Sequence, residues 1–487
     1  MFLKKIKQGK PTHNFKIIFL TSQFILGSVH AASIGIMDTG TDFSHKELNP
    51  KVYINTKEKS GTVDVDGDGL PGNVMGWDYT KKSPIPFDPQ YINMLTPKIK
   101  QFFALYAKYE LGQMTETEKN EIKKLTQDPE FLNQANFIGS YAHGTHVSGI
   151  ATEGIVQAKI MSLKILPTVY KPVPKESVVK KSNSQFKNKN SSTLTPLTME
   201  DLVKGLQDEA NNSIKELMAI HKLINFHKLD VVNQSFGTPF GAVVQSVYGI
   251  FVSQFDRKPT NDEMKVLLSA YYGTLQKNSA PLYGVAPKTL FVLAAGNDKF
   301  NNDQVPAFPG MAAKIVGINN TIIVAATFKN KKLADFSNFG AKMVDVGAPG
   351  VAIKGTSPAQ SYLQFSGTSQ AAPYVTNTAA RMKNTNSNLT PFELKKIILE
   401  TVDVKDWLKG VVKSSGVVNR ARAVKAAELS LKYSITQSIS EARKMVADIP
   451  EEDDQHGFFD SVTDLDGFVF NPIMPSMNIN VDRLIKE

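Results

Sequence analysis

The chain has 487 residues, of which 41% are hydrophobic and 21% charged, with 32 glycines and 25 prolines. This composition is typical of one large globular domain with insertions or of about three smaller domains, and it excludes collagen, a coiled coil and global disorder. The absence of cysteine excludes disulfides, thiolate zinc sites and cysteine nucleophiles. Two lysine-rich stretches, residues 1–31 and 171–189, carry much of the formal charge of +10. Because no basic stripe is interleaved with aromatic residues, we expect no nucleic-acid partner.

The N-terminus has the pattern of a targeting segment. Residues 1–16 are basic, residues 17–27 are mostly apolar, and small residues surround Ala31. This order predicts a secretory signal peptide over residues 1–31, with cleavage after Ala31. The apolar run is far shorter than the ~20 residues of a membrane helix, and a buried strand or helix is the alternative. We therefore expect an exported protein, secreted or periplasmic, with no membrane span once the signal is removed.

Short runs rich in β-branched residues recur along the chain and alternate with helical periodicity. The predicted strands are residues 33–37, 160–166, 230–233, 289–294 and 321–326, with a weaker one at 343–346. The clearest helical stretches are residues 199–226 and 391–402. This alternation predicts an α/β fold in which a mostly parallel sheet is flanked by helices on both faces, with helical and loop insertions. Functional groups of such sheets collect at the carboxyl ends of the strands, where Asp38 and Asn297 lie.

Three stretches interrupt the alternation of the main domain, residues 32–430. Residues 81–137 are rich in Lys and Glu and predict helices, residues 167–197 form a polar loop of low complexity, and residues 239–280 predict amphipathic helices. The remaining residues, 431–487, turn acidic and form a C-terminal extension.

Four short segments place a reactive group beside small residues. They are Asp38-Thr39-Gly40, His143-Gly144-Thr145-His146, Gly296-Asn297-Asp298 and Ser366-Gly367-Thr368-Ser369. Each segment alone is weak, because Asp-Thr-Gly is a common turn and Gly-Thr-Ser precedes many helices. His143 and His146 could bind a metal, but a third and fourth ligand at recognisable spacing are missing. The chain order Asp, His, Asn, Ser is much rarer by chance than any one segment.

Acyl transfer needs these residue types together. A serine hydroxyl becomes a nucleophile when an imidazole takes its proton, and a buried carboxylate must fix the tautomer of that imidazole. If Ser369 opens a helix, its backbone N–H faces the site and the helix dipole favours developing negative charge. The side-chain N–H of Asn297 could donate to the same oxyanion.

This conjunction resembles the subtilisin-like serine proteases, and the resemblance covers residues 33–430 apart from the three inserts. It implies that Ser369 is the nucleophile, His143 the general base and acid, and Asp38 the partner that orients the imidazole. It also implies that Asn297 and the N–H of Ser369 form the oxyanion hole. His146 is then structural.

The resemblance implies a cleft for an extended peptide between two strands. Its substrate-binding residues are Ser235, Phe236, Gly237, Ala294, Ala295 and Gly296. A peptide would pair with the backbone of the first three, and the last three would form the opposite wall of the first specificity pocket. These small walls permit a large apolar side chain.

The function expected from the resemblance is an exported serine endopeptidase that hydrolyses proteins and peptides through an acyl-enzyme. One alternative is a catalytically silent relative that serves as a binding or scaffold protein. Another is a self-processing protease of narrow specificity, with the inserts 81–137 and 239–280 restricting the cleft. The family usually has His and Gly at or near the positions of Tyr374 and Asn377, which lie on the helix behind Ser369.

The chemistry requires no cofactor, but structural calcium is possible at Asp64, Asp66 and Asp68. These residues copy the first half of an EF-hand loop, although its twelfth position is Met75, and a surface Asp-Gly turn is the alternative. The acidic extension could fold back on the basic catalytic domain and act as an inhibitor or a chaperone. The alternatives are that it is removed on maturation or that it is a solvated tail.

Overall fold

The computed structural model describes residues 30–173 and 198–450, apart from residues 306, 315, 316 and 318. Almost all of the predicted signal peptide, most of the low-complexity loop and the acidic residues after 450 lie outside the described residues. The described residues form twelve β-strands and ten α-helices.

The strands follow one another in short, mostly buried segments. They are β1 (Ser33–Asp38), β2 (Gly76–Asp78), β3 (Lys159–Lys164), β4 (Val231–Gln234), β5 (Leu290–Ala294), β6 (Thr321–Phe328), β7 (Lys332–Leu333), β8 (Val346–Pro349), β9 (Ile353–Ser357), β10 (Ser361–Phe365), β11 (Asp403–Val404) and β12 (Gly416–Val417). The central sheet has the order β11-β12-β8-β6-β5-β4-β1-β3-β2, with β7 paired to β6. All neighbours from β2 to β12 are parallel, whereas β11 and β7 pair antiparallel. Strands β9 and β10 form a separate antiparallel hairpin.

The helices lie between the strands and cover both faces of the sheet. They are α1 (Pro97–Glu110), α2 (Glu116–Thr126), α3 (Pro129–Thr152), α4 (Met199–Phe226), α5 (Phe240–Phe255), α6 (Asn261–Asn278), α7 (Thr368–Thr385), α8 (Pro391–Glu400), α9 (Arg420–Leu429) and α10 (Ile435–Met445). Short 3-10 helices occupy Asn49–Lys51, Pro89–Met94, Gly310–Lys314 and Asp406–Leu408.

Successive residues of the central strands point to opposite faces, and each face has its own core. Val232 packs with α4, α5 and α6 on one face, whereas its neighbour Val231 packs with α7, α8 and α9 on the other. Two buried faces explain why these strands are apolar at nearly every position. The predicted α/β fold is therefore confirmed. The weak strand at 343–346 is wrong by three residues, because the strand forms at Val346–Pro349.

The inserts at 81–137 and 239–280 are helical, as their periodicity predicts. The first contains α1, α2 and the beginning of α3, and the second contains α5 and α6. Phe102, Phe103 and Phe131 form part of a third core cluster that joins α1 to α3 and to β10. This cluster holds the first insert against the hairpin that precedes Ser369.

Candidate active site

Asp38 and His143 meet at the carboxyl end of β1. Asp38 is the last residue of β1, and its Oδ1 lies 2.7 Å from Nδ1 of His143, near the middle of α3. The same oxygen accepts a hydrogen bond from the backbone N–H of Thr39 at 2.7 Å. A carboxylate can only accept, so this contact places the proton on Nδ1 and leaves Nε2 as a base. Nε2 is buried and has no hydrogen-bond partner among the described residues.

Two glycines allow α3 to approach β1 this closely. A Cβ on Gly144 would lie 2.3 Å from the carbonyl oxygen of Gly40, so a side chain there would push the helix away from the turn. Gly40 has φ +104°, which only glycine adopts at little cost. The glycines at positions 40 and 144 therefore permit the contact between Asp38 and His143.

Ser369 lies in the first turn of α7, as the sequence predicts for an oxyanion N–H. Pro373 lacks the N–H that would bond to the carbonyl oxygen of Ser369 inside the helix. That oxygen instead accepts a hydrogen bond from Oγ of Ser235 at 2.8 Å. The hydroxyl of Ser369 donates to the carbonyl of Ser235 at 3.2 Å. Ser369 is thus joined to the residue that follows β4, and in this arrangement its hydroxyl does not bond to His143.

Asn297 holds the N-terminus of α7. Its Oδ1 accepts hydrogen bonds from both the backbone N–H and the hydroxyl of Thr368, each at 2.9 Å. A Cβ on Gly367 would lie 3.2 Å from Nδ2 of Asn297 and 3.5 Å from the backbone nitrogen of Ser369. Both nitrogens therefore lie near the same small space beside Gly367.

A concavity opens between the ends of β4 and β5. The predicted substrate-binding residues Phe236, Gly237, Ala294, Ala295 and Gly296 line it. Ser235 lies beside the concavity and is joined to Ser369 by hydrogen bonds. Two further kinds of lining residue were not predicted from the sequence: aromatic rings such as Phe240 and Phe300, and the carboxyl of Asp298. Burial raises the pKa of Asp298.

His146 lies one turn after His143 but has a structural environment. Its Nε2 lies 3.0 Å from the carbonyl of Ile353 and 3.2 Å from that of Leu363, and its ring stacks on Phe365 at 4.5 Å. Burial, followed by the neighbouring His143, lowers its pKa to about 3. The ring is therefore neutral at physiological pH and fixes the β9–β10 hairpin to α3, which disfavours a metal site made with His143.

The helical insert also reaches the serine segment, which the sequence analysis did not anticipate. Glu110, the last residue of α1, accepts a hydrogen bond from the hydroxyl of Ser366, which in turn accepts one from the backbone N–H of Ala352 at 2.7 Å. Burial raises the pKa of Glu110 to about 7, although the hydrogen bonds from Ser366 and Tyr106 oppose that shift. A carboxylate at a helix C-terminus is also disfavoured by the helix dipole.

The three catalytic candidates Asp38, His143 and Ser369 are fully buried. Gln370, next to Ser369, is also buried, and neither polar atom of its amide has a hydrogen-bond partner among the described residues. A buried amide without partners is costly, so Gln370 is a further residue of interest at the site. Its position in the serine motif was visible in the sequence, but its isolation depends on the tertiary packing.

The predicted calcium residues lie in one acidic loop between β1 and β2. The carboxylates of Glu58, Asp64 and Asp66 come within 4.8 Å of one another, and Asp66 also belongs to a second group with Asp68 and His227. The first group offers only oxygen ligands, which fit calcium. Asp68 differs, because its Oδ2 lies 2.8 Å from Nε2 of His227, a ligand that calcium disfavours. The residues therefore fit the ion best at Glu58, Asp64 and Asp66.

Within the described part of the chain, no helix combines the length and apolar character that crossing a membrane requires.

Comparison with known proteins relates this chain to one family. A family model described as "Subtilase family" matches residues 30–431. Alkaline elastase YaB of Bacillus sp. (strain YaB) is 32% identical over 134 residues, which cover 28% of this chain and 33% of that protein. The extracellular basic protease of Dichelobacter nodosus is 35% identical over 148 residues, which cover 28% of this chain and 23% of that protein. The chain thus spans about a third or less of the length of these two relatives.

Solved structures are similar at low sequence identity. The structure of a cold adapted subtilisin-like serine proteinase is 18% identical, with a TM-score of 0.35, and the match covers 80% of this chain and 86% of that one. The A-subunit of the AB5 toxin from E. coli is also 18% identical, with a TM-score of 0.40 and coverage of 81% and 92%. Because the family model matches most of the sequence, this chain belongs to the subtilase family.

Proposed function

We propose that this protein is a serine endopeptidase in which Asp38, His143 and Ser369 form the catalytic triad. The observation that carries the proposal is the buried contact of 2.7 Å between Asp38 Oδ1 and His143 Nδ1. It leaves Nε2 as the free base, at the sheet edge where Ser369 and Asn297 also lie. Relatives named as proteases support the same reaction class.

In the proposed mechanism, the hydroxyl of Ser369 rotates from the carbonyl of Ser235 towards Nε2 of His143. Such bonds are often absent before substrate binds. The oxygen of Ser369 attacks the peptide carbonyl as its proton moves to Nε2, and the C=O electron pair becomes an oxyanion between Nδ2 of Asn297 and the N–H of Ser369. The C–N bond breaks when His143 returns the proton to the leaving amine. Water, activated by the same nitrogen, then releases the acyl group.

The substrate is proposed to be an extended peptide that binds beside Ser235, Phe236 and Gly237. Its side chain at the cleaved bond would enter the concavity between β4 and β5. Phe240 and Phe300 favour an apolar side chain there, and Asp298 adds polar character.

A narrow-specificity peptidase is the second candidate. The fully buried catalytic candidates and the bond between Glu110 and Ser366 favour it, because a covered site admits fewer peptides. Self-processing is one form of this candidate.

Calcium is proposed as a structural ion outside the chemistry. Glu58, Asp64 and Asp66 would hold it, and the ion would fix the loop between β1 and β2. No step of peptide hydrolysis involves this loop.

Export is proposed from the basic and apolar pattern of residues 1–31, and a protein of the family named extracellular supports it. On this view residues 32–430 form the catalytic domain and residues 431–487 an extension.

Labelling with a fluorophosphonate probe tests the proposal, because only an activated serine reacts. We expect the wild type to be labelled and Ser369→Ala to be unlabelled. Ser357→Ala is a matched control, since Ser357 is buried and its hydroxyl has no hydrogen-bond partner among the described residues. Folded wild type without labelling would indicate a zymogen or the silent scaffold protein instead, and labelling after removal of residues 431–487 would distinguish the two. A peptide library then separates a broad peptidase from a narrow one.

A further inference from the structure

A second concavity of about 1240 Å³ lies behind the active site. It is bordered by the loop after α3, the outer part of α7 and the beginning of α9. Two arginines, Arg381 of α7 and Arg420 of α9, line it, together with Tyr374, Asn384 and Ile449. None of these residues takes part in the proposed mechanism.

The flat face of the Arg420 guanidinium packs on an aromatic ring, whereas two of its nitrogen atoms have no hydrogen-bond partner among the described residues. Its guanidinium carbon lies 3.9 Å from the centre of the Tyr374 ring. Its Nε and Nη2 atoms are buried and have no hydrogen-bond partner among the described residues. A guanidinium edge matches a carboxylate in shape and charge, and leaving it unpaired in a buried position is costly.

Arg381 adds a second positive charge to the same concavity. Its Nε donates to Oδ1 of Asn377 at 2.8 Å, and its Nη2 donates to the carbonyl of Glu153 at 2.7 Å. These neutral acceptors fix the side chain without cancelling its charge. Burial and, next, the charge of Arg420 lower the pKa of Arg381, so the two groups repel one another. An anion between them would relieve this repulsion.

The two departures from the family pattern in α7 both serve this arrangement. Tyr374 provides the surface on which Arg420 stacks. Asn377 accepts from Arg381 and donates to the carbonyl of Glu153 at 2.9 Å, which fixes the loop after α3.

The chain itself brings acidic residues to the concavity. Asp448 pairs with Arg422 at 2.6 Å, and the backbone N–H of Ile449 donates to Asp403 at 2.9 Å. These contacts anchor the chain up to Ile449, which lines the concavity. After Pro450 the sequence continues with four consecutive acids, residues 451–454. An extended residue spans about 3.5 Å, so these carboxylates can reach the arginines.

We propose that the arginine pocket, formed by Arg381, Arg420 and Tyr374, binds the acidic segment 451–454 of the same chain. The carboxylates would pair with the buried edge of Arg420 and reduce its repulsion with Arg381. The N-terminal segment also lies near the pocket, because the backbone N–H of Ala32 donates to Oδ1 of Asn384 at 2.7 Å. Its lysines would repel the two arginines, so it is not the proposed occupant. The acidic extension is therefore an intramolecular ligand of α7 and α9.

A double-mutant cycle in the full chain tests the proposal. One variant is Arg420→Gln, and the second, the tail variant, carries Glu451→Gln, Glu452→Gln, Asp453→Asn and Asp454→Asn. We expect each to lower the Tm by about 2 °C at low salt, where about 1 kcal/mol shifts the Tm of a large domain by that amount. The combined variant should have the same Tm as either variant alone. Added salt should reduce the difference in Tm between each variant and the wild type. Lys425→Gln, a change in α9 at a partly exposed lysine that pairs with Glu428, is the matched control and should not be coupled to the tail variant.

Three outcomes would overturn the proposal. The first is a tail variant that melts like the wild type, and the second is a pair of effects that add in the combined variant. The third is inorganic phosphate raising the Tm of the wild type and the tail variant equally, which would identify a pocket filled by anions from solution. If Arg420→Gln does not fold, Arg420→Lys replaces it in the cycle, because lysine keeps the charge but lacks the planar edge.

Discussion

The sheet edge that carries the catalytic candidates and the segments that surround it are held by different forces. At the edge, Asp38 ends the parallel strand β1 and Asn297 follows β5, and the approach of α3 is limited by backbone contact between Gly40 and Gly144. Around it, the apolar packing of the first insert is supplemented by charged side chains such as those of Asp88 and Glu110.

The clearest charged contact around the sheet edge is made by Lys164, the last residue of β3. Its Nζ is fully buried and donates to Oδ2 of Asp88 at 2.6 Å and to Thr168 at 2.6 Å, with Asp78 at 3.8 Å. Burial alone would raise the pKa of Asp88, but hydrogen bonds led by that from Lys164 lower it. We therefore expect catalysis and stability to depend on different residues. Changes at the sheet edge should alter catalysis, and changes in the surrounding segments should alter unfolding.

Substitution of Asp38 should have the greatest consequence, a loss of catalytic rate. Asp38→Asn keeps the shape of the side chain but no longer fixes the imidazole tautomer, so we expect kcat to fall by about 10⁴-fold. Thermal melting should change little. The measurement is kcat on a peptide substrate beside a melting curve. Asp42→Asn is the matched control, because Asp42 is a buried aspartate of the same turn that bonds to Ser44. Equal losses of kcat in both variants would contradict the assigned role of Asp38.

The next effect is on stability. Lys164→Met removes the buried cation shared by Asp88 and Asp78 and leaves Asp88 only the half-exposed Lys81, so we expect a loss of about 3–5 kcal/mol in the free energy of unfolding. Urea denaturation measures it. Lys81→Met removes a half-exposed lysine from the same Asp88 and should cost less than about 1 kcal/mol. Folded Lys164→Met should keep fluorophosphonate labelling. If labelling is lost while the fold persists, the separation between chemistry and stability is wrong.

Calcium should stabilise the surrounding segments without altering the chemistry. At a free concentration of 100 times Kd, one site adds about 2.7 kcal/mol to the free energy of unfolding. We therefore expect a chelator to lower the Tm and calcium to restore it. Glu58→Gln should weaken this response, whereas magnesium, which prefers its own water ligands, should not replace calcium. A Tm that is independent of calcium would exclude the proposed site.

The smallest effect concerns pH. The pKa of Glu110 is raised to about 7, from a usual value near 4.5. Between these values the folded state retains a proton that the unfolded state releases, so stability falls as pH rises towards 7 and stays lower above it. Glu110→Gln should remove this loss and raise stability at pH 8 by about 1–2 kcal/mol relative to the wild type. Melting curves between pH 4 and pH 8 measure it. Glu116→Gln, an exposed change in α2, should have no such dependence.

The regular elements were largely predictable from the sequence. The predicted helix 199–226 agrees with α4 at both ends, and the strands at residues 33 and 321 begin where predicted. These elements have strong periodicity and two apolar faces. The strand Val346–Pro349 was misplaced because small residues replace β-branched ones. A Cβ on Gly347 would lie 2.9 Å from a methyl group of Thr327, so close packing excludes larger side chains.

The surroundings of the candidate site could not be predicted in the same way. The bond between Glu110 and Ser366 joins residues 256 positions apart, and the pairing of Arg420 with Tyr374 depends on how α9 crosses α7. Nothing local in the sequence encodes such contacts. The sequence could therefore single out candidate residues for the reaction, but not the side chains that cover them.

The contact between Gly40 and Gly144 has a consequence for the whole catalytic edge. Two backbones that already touch cannot move closer, so this contact sets the lower limit of the distance between α3 and the turn after β1. Even a single methyl group at position 144 would exceed that limit and lengthen the contact between Asp38 and His143.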